Sequence, residues 1–235
     1  MSLRALAALA LVSPLLPAQD PAPPAAQPEV VHRQLHGFDI RLVNGFAKHE
    51  LHDEVMALLG DHLYRISRVV ADPALTRLRT IPIWVGFEDA RHAGKCMFYH
   101  PSPRWLDAND YPVELAGGVE VANAKNFLRW TLDQPWMVLH ELAHGYHHQV
   151  LGHGHAGIRA AFGAAKKDGL YEKVLRIGGS QEKHYALTND QEYFAEATEA
   201  YFGTNDFYPY VRSELREYDP RCYAVLEQVW GKRRR

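Results

Sequence analysis

Pro135-Trp136-Met137-Val138-Leu139-His140-Glu141-Leu142-Ala143-His144-Gly145-Tyr146 reads as an apolar helix carrying the pattern HExxH. His140 and His144 stand one helical turn apart, so both imidazoles stack on one face. Two neutral imidazoles on one face can share a tetrahedral zinc ion. Glu141 adjoins the first of them, where its carboxylate reaches a water on the metal. That is the position of a general base in metal-assisted hydrolysis. Asp133-Gln134-Pro135 is a start signal, with Pro135 as a first-turn residue whose missing N–H costs nothing. Trp136, Val138, Leu139, Leu142 and Ala143 are apolar, as a buried helix requires.

HExxH fixes only three positions, so the rest of the chain must complete the site. A catalytic zinc takes three protein ligands and keeps a fourth position for water. The pattern HExxHxxGxxH is ruled out, because Val150 and His147 occupy the positions of its last His and its Gly. His147 and His148 continue the same helix and read as surface or packing. His153 and His155 lie beyond a stop at Gly152. The remaining solution is a Glu from a second helix, and Asn189-Asp190-Gln191-Glu192-Tyr193-Phe194-Ala195-Glu196 offers one. Glu192, Glu196 and Glu199 share a helical face, and acids on an inward face need a cation or donors. Glu192 is the expected ligand, Glu196 the expected acceptor for a ligand His N–H, and Glu199 is expected in solvent. With Thr188 as cap, Gln191 takes the reciprocal position of a capping box and leaves Glu192 free. With Asn189 as cap, Glu192 takes that position and its two roles compete.

HELAH followed by Tyr185-Ala186-Leu187-Thr188-Asn189-Asp190-Gln191-Glu192-Tyr193-Phe194-Ala195-Glu196 resembles the catalytic domain of the anthrax lethal factor-like zinc metallopeptidases. The likeness is to the order YxxTNxxE[FY]FAE and runs, with gaps, from residue 135 to 203. It implies a zincin-like fold with His140, His144 and Glu192 on zinc, Glu141 as base and Tyr185 as donor to the oxyanion. It also implies that the last strand before the HExxH helix is an edge bordering the cleft. An extended substrate would then add to Val119, Glu120 and Val121 through main-chain hydrogen bonds. An interior strand with both edges paired is the alternative. The large flanking domains that deliver the toxin have no counterpart in these residues, so delivery and substrate set are not implied.

The 235 residues suit one sizeable domain, and 47% hydrophobic with 23% charged residues is ordinary for a globular chain. A net charge of -2 leaves no electrostatic footprint for nucleic acid. The basic end Lys232-Arg233-Arg234-Arg235 reads as a solvated tail. Residues 1–18 read as a secretory signal peptide. Arg4 opens it, Ala5 to Leu16 is too short to span a bilayer, and Ala18 precedes cleavage. No Cys follows, so a secreted or periplasmic protein without lipid anchor or membrane span is expected. Residues 19–30 form a Pro/Ala-rich linker and residues 31–235 the catalytic domain. Cys96 and Cys222 are the only cysteines and can pair or stay free.

Phe38 to Val43 alternates as a strand, and Lys48 to Val70 is an amphipathic helix. The helix contains a decoy, His49-Glu50-Leu51-His52-Asp53, read as surface. Thr80 to Gly86 reads as a strand near an edge, where Pro82 is tolerated. Residues 88–118 read as a long loop whose aromatics and His100 either rim a cleft or pin the loop. Val119 to Ala122 is a short strand, and Asn123 caps a helix from Ala124 to Trp130. The HExxH helix is expected to run from Pro135 to Leu151. Further helices follow at Ile158 to Lys167, at Asp190 to Phe202, and from Pro209 and Pro220.

The expected fold is α+β, a small mixed sheet with an active-site helix and a second ligand-bearing helix. The expected function is an exported Zn²⁺ endopeptidase acting on peptide or protein substrates. A zinc-stabilised binding module and a zinc amidase acting on cell-wall material are the alternatives. Glu141 separates the first two, since a structural site needs no base.

Overall fold

The computed structural model describes residues 29–87 and 94–231. The signal stretch, nearly all of the linker, residues 88–93 and the basic tail lie outside the described residues. The described chain is α+β with a small mixed sheet. Its five strands, β1 (Val31–Leu35), β2 (Phe38–Leu42), β3 (Ile83–Val85), β4 (Met97–Tyr99) and β5 (Val119–Val121), lie in the order β1-β2-β3-β5-β4. β1 and β2 are an antiparallel hairpin. Its turn needs positive φ at two successive residues, supplied by His36 (φ 51) and Gly37 (φ 87). β2, β3 and β5 run parallel, and β4 returns antiparallel to β5. In β2 Phe38, Ile40 and Leu42 are buried while Asp39 and Arg41 are half-buried, the period of two of a strand with one covered face.

The parallel step from β2 to β3 needs a crossover, and α1 (His52–Val69) provides it, followed by α2 (Ala74–Leu78). α1 buries Val55, Leu59, Leu63 and Ile66 in the core shared with the sheet. It starts later than the apolar periodicity suggests, after a 3-10 turn at Phe46–Lys48. Among the described residues the decoy joins no cluster that could hold a metal: His49 stacks on Phe87 at 3.8 Å, and His52 Nδ1 meets Asp53 at 2.8 Å.

Three expectations about the sheet are corrected. β3 is central, and Pro82 lies just before it. The Pro82 carbonyl still accepts from Val119 N–H at 2.9 Å, and the strand proper starts one residue later at Ile83. β5 is interior, paired by β3 and β4, with Val119 and Val121 fully buried. Glu120 is engaged by His100 Nε2 at 2.8 Å. Val119, Glu120 and Val121 therefore offer no edge to a substrate. The edge strand on that side, β4, lies within the stretch read as loop, which also holds α3 (Pro103–Ala108), capped by Ser102.

α4 (Ala124–Trp130) is capped by Asn123 as expected, its side chain accepting from Asn126 N–H at 3.0 Å. α5 (Met137–Tyr146) carries HExxH and begins two residues beyond Pro135. It widens into a π-helical turn at His147–Leu151, ending at Gly152 with φ 76. α6 (Ala156–Lys167) and a hairpin of β6 (Val174–Leu175) and β7 (Gln181–Glu182) lead to α7 (Asp190–Phe202). α8 (Arg212–Tyr218) and α9 (Pro220–Trp230) pack on its far side. Every residue of α7 from Tyr193 to Phe202 is buried, so it is a central helix. No helix among the described residues is long and apolar enough to cross a membrane.

Two glycines let these elements approach. A Cβ on Gly145 would stand 2.6 Å from Ile81 Cδ1 and 3.1 Å from the Tyr99 ring, so glycine brings α5 against β4. A Cβ on Gly203 would overlap the Trp136 indole at 1.8 Å, so glycine ends α7 under the start of α5. Cys96 and Cys222 are separate buried free thiols.

Candidate metal centre

α5 and α7 lie antiparallel: Trp136 covers Gly203, His140 meets Glu199, and His144 meets Glu192. This packing turns both HExxH imidazoles toward the acidic face of α7. His140 Nε2 and His144 Nε2 are 3.1 Å apart, and each lies 3.2 Å from Glu192 Oε2. Four ligands at zinc bond lengths of ~2.0–2.1 Å define a tetrahedron with edges of about 3.3 Å. The three atoms thus form nearly one face of a zinc tetrahedron. Three mutual hydrogen bonds cannot explain the triangle, because the two imidazole nitrogens and the carboxylate cannot supply a donor along each side. Among the described residues no fourth ligand atom joins this trio, and its open side faces the cleft. His140, His144 and Glu192 therefore fit zinc, with a position left for water.

His140 Nδ1 donates to Glu199 Oε1 at 2.8 Å, which holds the proton on Nδ1 and leaves the Nε2 lone pair for metal. Glu196 Oε1 is farther from Nδ1, at 3.6 Å. Glu196 is occupied instead by Asn205, whose Nδ2 donates to its Oε2 at 2.9 Å and to its main-chain carbonyl at 2.7 Å. The expected roles are thus redistributed. Glu199, only 3% exposed, is the direct acceptor rather than a solvated acid, and Glu196 is a buried neighbour tied to Asn205.

Electrostatics reflect the crowding. Burial works against the Glu192 carboxylate, yet its bonds with His140 and His144 hold it well below the usual carboxylate range. Burial lifts Glu196 well above that range, and the charge of Glu199 adds to it. Burial would lower the pKa of His140, but Glu192, Glu199 and Glu196 outweigh it and hold it well above the usual imidazole value. A cation beside these groups would offset their mutual repulsion.

Asn189, not Thr188, caps α7. Its Oδ1 accepts from Gln191 N–H at 2.9 Å and from Glu192 N–H at 2.8 Å. The feared competition does not arise: the Glu192 amide serves the cap while its carboxylate turns to the histidines.

A cleft of about 570 Å³ opens over this triangle. Glu141, Tyr185, His153, Arg176 and edge strand β4 line it. Glu141 Oε2 accepts from Tyr99 N–H at 2.8 Å. Tyr185, on a 3-10 turn at Tyr185–Leu187, is 50% exposed into the cleft. Partial burial, then the Glu192 charge, raise the pKa of its hydroxyl, which stays protonated as a donor. The structure thus brings Glu141, Tyr185, His140, His144 and Glu192 together and leaves Val119, Glu120 and Val121 in the sheet. Asn205, the bond from Tyr99 N–H to Glu141 and the role of Glu199 escape sequence reading, since each acts through a contact between distant segments. No protein-family model, curated protein or solved structure matches this chain.

Proposed function

We propose that this chain is a zinc-dependent metallopeptidase with a zincin-like arrangement of HExxH and a Glu ligand from a second helix. The observation that carries the reading is the triangle of His140, His144 and Glu192 opening onto a cleft that Glu141 also lines. A structural zinc site closes its fourth position with a protein ligand, so the open face favours catalysis over a binding module.

Zinc, when bound, supplies Lewis acidity, acidifying water and polarising a carbonyl. The chain's own residues do the rest. Glu141 takes a proton from the attacking water and passes it to the leaving amine. Tyr185 donates from its hydroxyl to the oxygen that gains charge in the transition state. Glu199 holds the His140 ring through Nδ1. The substrate lies along β4, where Met97 and Tyr99 face away from β5. This alternation follows from Cys96 O accepting from Ala122 N–H at 2.9 Å and His100 N–H donating to Gly118 O at 3.0 Å. The apolar segment near the N-terminus supports an exported enzyme.

The test is a peptide-library digest with the zinc-loaded chain and its Glu141→Gln variant. Cleavage by the first and its loss in the second, with zinc retained, is the expected result. Equal cleavage by both, or by neither, would remove the peptidase reading.

A further inference from the structure

β4 does two things at one point. Its outward edge borders the cleft, and Tyr99 N–H on that edge donates to Glu141 Oε2 at 2.8 Å. A part-buried carboxylate oxygen bound by a main-chain donor has its rotamer set by the strand that carries the donor. The strand is itself clamped to the far end of the HExxH helix. The Tyr99 hydroxyl meets His148 Nδ1 at 2.8 Å and accepts from Gln149 Nε2 at 3.0 Å. Gln149 Nε2 also donates to Gly117 O at 2.8 Å, tying in the turn before β5. The Tyr99 ring packs where Gly145 leaves no side chain.

We infer that Tyr99 is a positioning residue for the base. Its amide holds one oxygen of Glu141 and leaves the other for proton transfer, and its hydroxyl, through His148 and Gln149, sets the height of β4 above α5. The inference rests on the metallopeptidase reading for the role of Glu141. It adds a constraint on substrate. Because Tyr99 N–H is occupied, a peptide paired with β4 finds its main-chain donor and acceptor together at Met97, and this sets its register relative to the metal. Movement of the strand would shift the base relative to the metal while leaving the Met97 edge free to pair with substrate.

The test uses the full chain loaded with zinc, as wild type, Tyr99→Phe and Gln149→Ala, with three readouts. Displacements of this kind cost up to about a hundredfold, so kcat should fall roughly ten- to a hundredfold in Tyr99→Phe, with KM and zinc content near wild type. Gln149→Ala, which keeps the Tyr99 hydroxyl, should lie between. Exchange of the Tyr99 amide proton, followed by NMR, should be faster in both variants. A kcat unchanged in Tyr99→Phe, or kcat, KM and melting temperature drifting together, would overturn the inference. If wild type and Glu141→Gln both fail to cleave, the peptidase reading falls by itself. Amide exchange then still decides the clamp: faster exchange supports it, and unchanged exchange removes it.

Discussion

His140 Nδ1 and Glu199 Oε1 meet at 2.8 Å across the interface of α5 and α7, and this contact orients the ring that we propose as the first metal ligand. Outer partners of this type typically contribute about ten- to a hundredfold to metal affinity. Glu199→Ala should therefore weaken zinc binding by about that factor in chelator competition. Glu196→Ala, whose carboxylate is 3.6 Å from the same nitrogen and tied to Asn205, should weaken it less. The reverse order would return the orienting role to Glu196.

Glu192 Oε2 lies 3.2 Å from both imidazole nitrogens and is the proposed third ligand. Glu192→Ala should leave the fold intact, because the cap of α7 uses only the Glu192 amide. It should abolish stoichiometric zinc after dialysis. Full occupancy by elemental analysis would remove Glu192 from the site.

Tyr185 is half-exposed on the cleft wall, so its ring packs little and its hydroxyl carries its effect. Tyr185→Phe should lower kcat by roughly ten- to a thousandfold with zinc content unchanged. Steady-state kinetics on a peptide cleaved by the wild type measures this, and an unaltered kcat would exclude the oxyanion role.

His147 is fully buried, and among the described residues neither ring nitrogen has a hydrogen-bond partner. Burial, with the neighbouring His153, His144, His155 and His148, lowers its pKa to about 4. The unfolded chain takes up this proton near the usual imidazole value of about 6.5. Between those values the unfolded state binds more protons, so stability is full above about 6.5 and declines as pH falls toward 4. His147→Leu fills similar space and loses no hydrogen bond. In chelator, its denaturation midpoint should depend less on pH over this window, by a slope of up to ~1.4 kcal/mol per pH unit. Parallel pH profiles for variant and wild type would exclude His147 as a source of acid lability.

Sequence alone determined what local chemistry decides. The one-turn spacing of His140 and His144 places both rings on one face of any helix. α7 runs from Asp190 to Phe202 as read, because an N-terminal cap and Gly203 bound it. Asn123 caps α4 for the same local reason. Only the tertiary structure chose among residues that look equivalent along the chain. Glu192, Glu196 and Glu199 share one face, but a helix rises ~1.5 Å per residue, so how far α5 slides along α7 decides which acid reaches which nitrogen. Trp136 seated on Gly203 sets that slide and gives Nδ1 to Glu199. The cleft edge belongs to β4 rather than β5 because edge status depends on which strands find partners, a property of distant segments that side-chain alternation within one strand cannot carry.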